Sequence, residues 1–156
     1  MSKLEQQLAE ISAKIEYRDA LVSSVSAVSV AWHIDHILMV MKGITERLKT
    51  SEPDKYRWKF SFFRIGIFLT GKIQRGLGKA PKASRPPADI DLDLLQKHFE
   101  SASNSIKEIV NLDKNLYFEH PYFGHLKLKD SIRFLEIHNA HHLAIINDII
   151  KNGVRV

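Results

Sequence analysis

Two histidines one helical turn apart decide what chemistry this sequence can do. Ser131, Leu135, His138, His142, Ile145 and Ile149 follow one another by four, three, four, three and four, the period of one helix face. Both imidazoles therefore sit in a seam that should face a protein interior. A buried imidazole without a partner costs on the order of 1–3 kcal/mol. A single core histidine is usually satisfied by a facing polar side chain. Two at i and i+4 project together, so their ring nitrogens can converge on one cation. A third ligand is expected from Trp32-His33-Ile34-Asp35-His36, which opens a second helical pattern. His33 and His36 both lie on or beside its apolar side. Either would complete a three-histidine site with His138 and His142, leaving positions open for water or substrate. Helical position slightly favours His33 but does not separate the two.

The neighbouring residues narrow the chemistry. Asn139 stands where His-Glu-x-x-His peptidases carry their general base, and an amide cannot do that work, so a zincin-type peptidase is excluded. His141 points to the edge of the seam near Ile137 and Asp148, where a supporting or solvent-facing role is expected. Candidate bases beside the site are His33, Asp35 and Glu136. Helical phase turns Asp35 and Glu136 away from the seam, so His33 is the expected catalytic residue. His98, His120 and His125 are expected to face solvent or cap turns, outside the site.

Four amphipathic helices of fifteen to twenty-odd residues would position these groups. The first carries Leu4, Leu8, Ile11 and Ile15, and the second runs from about Val30 to Lys49. The third runs from about Asp91 to Leu112, with Asp91 or Asp89 as N-cap. The last runs from about Lys129 to Lys151 and stops at Asn152-Gly153. With no convincing strand pair, the pattern predicts an all-α four-helix bundle forming one domain over residues 1–156. Between the second and third helices lies an insertion. Tyr56 to Ile73, aromatic and partly β-branched, fits a short helix or a strand, with the short helix favoured, and Gly76 to Pro87 reads as a loop. The segment Asn111 to Leu126 is expected only to connect the last two helices.

The pairing of Trp-His-x-x-His with His-x-x-His-His resembles the DinB-like superfamily, most of all a small bacterial branch of it. That branch also has a His-Pro-x-Phe-Gly-x-Leu loop before the final helix, matched by His120-Pro121-Tyr122-Phe123-Gly124-His125-Leu126. The resemblance spans roughly residues 28 to 150. It implies a four-helix bundle holding a divalent metal, often nickel, zinc or iron, on three histidines. The N-terminal domains of ergothioneine-type sulfoxide synthases look similar, with Trp-x-x-x-His and a later His-x-x-x-His. That spacing falls on Trp32, His36, His138 and His142, and so selects His36 over His33 as first ligand. In many other relatives the first histidine lies roughly where Val40 sits. The resemblance also implies a metal-dependent enzyme on small molecules, either a hydrolase or a transferase using a low-molecular-weight thiol. It suggests a homodimer through the outer helix faces.

Composition bounds the rest. The 156 residues include eight histidines and no cysteine, with a net charge of +5, 44% hydrophobic and 26% charged residues. The missing cysteines exclude disulfides, thiolate metal sites and a cysteine nucleophile, so any thiol must arrive as a cosubstrate. The start Met1-Ser2-Lys3-Leu4-Glu5 carries charge where a signal peptide is apolar, and no stretch reaches the roughly 18–20 apolar residues of a membrane span. A cytoplasmic protein without a membrane partner is expected. Charge is uneven: Lys42 to Arg85 holds twelve basic and three acidic residues, a net +9, against −4 elsewhere. Interleaved with Tyr56, Trp58, Phe60, Phe62 and Phe63, this block fits two readings. One is a solvated face whose aromatics pack on the bundle. The other is a stress-related binding module for nucleic acid or an acidic partner, although no nucleic-acid-binding motif accompanies it.

Overall fold

The computed structural model describes residues 1–76 and 81–153. Its helices are α1 (Lys3–Ser12), α2 (Val30–Lys49), α3 (Phe62–Thr70), α4 (Leu92–Ile109) and α5 (Leu128–Gly153), with a hairpin of β1 (Tyr117–His120) and β2 (Gly124–Lys127) before α5. Each of α1 and α2 packs against both α4 and α5, which closes a four-helix bundle. The apolar seams meet inside it, where Ile11, Ile34, Met41, Leu95, Ile106, Leu135 and Ile146 are fully buried.

The helix starts follow from local chemistry. Ser2 and Glu5 form a reciprocal capping box at α1, and the Ser29 side chain accepts from the Trp32 N–H at α2. Of the two aspartates proposed for α4, Asp91 caps it, accepting from the Leu94 N–H at 2.8 Å. The first helix is shorter than its pattern predicts. It ends at Ser12, and Ile15 reaches the core from a 3-10 turn, Ile15–Tyr17.

The connection before α5 corrects the expectation of no strand pair. Tyr117 pairs with Lys127, Phe118 with Leu126, Glu119 with His125 and His120 with Gly124. Phe118 and Leu126 point inward and are buried. The turn closes because Gly124 takes a left-handed φ of 71° and the His120 Nδ1 accepts from the Tyr122 and Phe123 N–H groups. Alternation over only four residues per strand is too short to register as a period.

The insertion forms the expected short helix, α3, and Tyr56 and Phe68 pack inward, but most of its aromatics do not pack on the bundle. Arg64 is the buried residue of α3, whereas Trp58, Phe60, Phe62 and Phe63 are 62%, 55%, 82% and 62% exposed. A nine-residue helix has one inward face. Arg64, Ile67 and Phe68 take it, and the remaining apolar groups point out.

Helices α2 and α4 are pinned by a buried polar contact. Asp35 on α2 is fully buried, and its Oδ1 lies 2.6 Å from the His98 Nδ1 on α4. Its Oδ2 has no hydrogen-bond partner. Asp35 thus faces α4 and not the histidine seam, and His98 is a partner of a buried carboxylate instead of a solvent-facing ring. His98→Ala should lower the unfolding free energy by about 3–5 kcal/mol, since it leaves a buried carboxylate unpaired. Urea denaturation checks this, and a loss within about 0.5 kcal/mol, the range of an ordinary surface change, would contradict it.

Candidate metal centre

Three histidines from two helices meet between α2 and α5. One ring nitrogen from each of His36, His138 and His142 lies within 4.8 Å of the others. The closest pair is His36 Nε2 to His138 Nε2, at 3.2 Å. Two nitrogens each about 2.0–2.1 Å from one tetrahedral ion would stand roughly 3.3 Å apart, so this spacing suits a shared ligand position. His36 and His138 are buried and His142 is partly so.

The outer ends of two of the three rings, His36 and His142, are held by contacts to other groups. The Nδ1–H of His36 donates to the Ser84 carbonyl at 2.6 Å, which leaves its Nε2 with a bare lone pair. Trp32 stacks on the same ring, 5.1 Å between centroids and 19° between planes. His142 Nδ1 lies 2.9 Å from His33 Nδ1, and His33 Nε2 lies 3.0 Å from the Ser26 Oγ. If His142 presents Nε2 to the centre, its Nδ1–H donates to His33, and the His33 Nε2–H donates to Ser26. One tautomer set satisfies the chain of contacts.

His138 supplies the test of whether a cation fits. Its Nδ1 is buried and has no hydrogen-bond partner. Were its proton on Nε2, directed at His36, a bare Nδ1 would be orphaned. Were it on Nδ1, that N–H would be orphaned and two lone pairs would face each other across 3.2 Å. No neutral form satisfies the ring fully. A cation accepting both Nε2 lone pairs removes the repulsion between them. Burial also pushes the pKa of His36 down, and those of His138 and His142 well below their ordinary 6.5. The three rings are therefore neutral near pH 7, the state that ligation needs.

The other candidates separate clearly. His33 lies in the cluster, but both its nitrogens are engaged, so it has no free nitrogen for the base role expected of it. His141 is half-buried and touches the His142 ring at 5.1 Å between centroids. Glu136 sits 3.5 Å from Arg133, outside the cluster. His120 caps the hairpin turn and stacks on Phe123, and His125 accepts from the Arg57 N–H. Asn139 turns to α1, where its Nδ2 donates to Gln7 Oε1. The Ser84 carbonyl and the Ser26 hydroxyl had no signal in the sequence, because a loop carbonyl and a lone serine have no pattern.

The sequence profile of the DinB superfamily matches residues 16–146, a span that includes all three clustered histidines. The chain belongs to the DinB superfamily. No curated protein and no solved structure matches it. The match takes in α2, α4 and α5 of the bundle, with α3 and its flanking loops lying between α2 and α4.

The buried rings make the metal-free DinB bundle acid-sensitive. Burial holds His33 and His120 at about 4, below the ordinary 6.5, and lowers His36, His138 and His142 as well. Above pH about 6.5 folded and unfolded chains are equally deprotonated at these rings. Below it the unfolded chain takes up protons that the folded chain refuses, so stability is lost downward to about pH 4, by at most about 1.4 kcal/mol per pH unit for each ring. Urea midpoints in chelator should therefore fall steadily from pH 7 to pH 4. A midpoint unchanged over that window would contradict the neutral, buried cluster.

Proposed function

We propose that this DinB protein is a metal-dependent enzyme acting on small molecules, with a divalent ion held by His36, His138 and His142. The observation that carries this reading is the inward set of three neutral imidazoles, two of which have their outer nitrogens tied, His36 to Ser84 and His142 to His33. Such outer partners fix the tautomer and orientation of ligating rings. An ion held there would act as a Lewis acid on a carbonyl-type substrate or ionise an external thiol. The chain has no cysteine, so in a thiol-dependent transfer the sulfur comes from a cosubstrate. Hydrolysis is the other reaction class consistent with an open three-histidine site. We assign His33 the positioning of His142, through the 2.9 Å contact between their Nδ1 atoms.

Metal analysis of untagged protein, after supply with nickel, zinc, iron and manganese, tests the proposal. About one equivalent is expected, and less than about a tenth would refute it. His36→Ala, His138→Ala and His142→Ala should each abolish retention, while His141→Ala retains it. His33→Ala should weaken affinity by about ten- to hundredfold without abolishing it, the usual effect of removing an outer partner. Metal loss confined to His141→Ala would show that the wrong face of α5 has been assigned.

A further inference from the structure

The insertion is built inside out. In α3 the arginine, Arg64, is 8% exposed, while Phe62 and Leu69 are 82% and 81% exposed. Arg64 lies under the Trp58 ring, its guanidinium carbon 5.6 Å from the centroid. Trp58, Phe60 and Phe62 then run edge to face, at 6.3 and 4.7 Å between centroids, so the exposed rings form one continuous surface. Scattered apolar side chains on a surface need no explanation, but a joined aromatic patch does.

The charge around that patch has one sign. Residues 55–75 contain Lys55, Arg57, Lys59, Arg64, Lys72 and Arg75 and no aspartate or glutamate. Lys55 pairs with Glu52 and Arg75 with Asp148. Among the described residues, Arg57, Lys59, Arg64 and Lys72 have no carboxylate within ion-pair distance. Whatever covers this surface must be apolar and negative together. A second copy bringing the same face would set these cations against their own kind. A protein partner would need a groove shaped to receive rings that stand more than half exposed. The headgroup boundary of an anionic bilayer needs no preformed shape, since lipids deform around inserted side chains and supply the negative charge.

We propose that this aromatic and basic face attaches the protein to an anionic lipid surface. Attachment is peripheral, because no described helix is long and apolar enough to cross a membrane. Neither a charged N-terminal start nor the lack of a spanning helix bears on surface attachment. Phe62, Phe63 and Leu69 enter the headgroup boundary, while Lys59 and Lys72 meet the anionic headgroups.

Sedimentation of the full chain with vesicles tests this, using phosphatidylcholine alone or mixed with phosphatidylglycerol. The protein should pellet with the mixed vesicles and stay in the supernatant with phosphatidylcholine. Trp58 emission should shift to the blue on binding, and Trp58→Phe should remove that shift. The double variant Phe62→Ser with Leu69→Ser should lose at least about tenfold in partitioning, with thermal unfolding unchanged. Lys59→Glu with Lys72→Glu should also release the protein. Three results would each overturn the proposal. One is a wild-type protein that ignores both vesicles. Another is an apolar double variant that binds as well as wild type, which would mark simple polyanion attraction. The third is a concentration-dependent dimer in light scattering that Phe62→Ser with Leu69→Ser dissolves, which would make the patch a self-association face.

Discussion

A neutral imidazole has one nitrogen that donates and one that accepts, and burying three of them at one point commits the protein to finding partners for six atoms. Much of the structure around the cluster answers that constraint. The outer nitrogen of His36 goes to the Ser84 carbonyl and that of His142 to His33, which passes the demand on to Ser26. The inner nitrogens are left facing one another, and the His138 Nδ1 is left with nothing. Such an arrangement is poor as a core and good as a cation cradle. A core built for stability alone would place isoleucine or leucine there, as the bundle does one turn away at Leu135 and Ile145.

Holding ring nitrogens at such spacing requires that the helices carrying them cannot rotate. Successive residues on a helix point about 100° apart, so the residue beside each histidine faces a different neighbour. Asn139, next to His138, faces α1 and meets Gln7, which also donates to the Glu136 carbonyl at 2.8 Å. Asp35, next to His36, faces α4 and meets His98. Each helix of the centre is thus pinned to the helix on its other side by a buried polar contact. Such contacts fix rotation and register more sharply than interchangeable apolar packing does, and a site of this kind tolerates displacements of only about 0.5 Å.

What was legible in the sequence follows the same division. The seam of α5 and the helical spans were readable because a period repeated over five or six turns is a strong signal, and the convergence of His138 and His142 follows from it. The choice between His33 and His36 was not readable from position, since both are buried on the same side of α2. It turns on which nitrogens are already taken, and that depends on Ser84 and Ser26, which sit outside every periodic segment. The pairing of Asp35 with His98 was hidden for a related reason. Each looked polar and therefore outward, and only their meeting across 63 residues makes burial affordable. The aromatics of the insertion misled in the opposite direction, because apolar type predicts burial and cannot report that a nine-residue helix has too little inward surface to bury them all.

The insertion also touches the centre. Its inner edge supplies the Ser84 carbonyl to His36 and Arg75 to Asp148. Its outer edge carries the exposed rings of Trp58, Phe60, Phe62 and Phe63. A hydrogen bond of 2.6 Å is lost when its partners separate by about 1 Å, so a small movement of the turn at Lys82–Ser84 frees the Nδ1–H of His36. That proton determines which nitrogen of His36 faces the centre. The position of the Lys82–Ser84 turn and the tautomer of His36 are therefore linked through a single carbonyl.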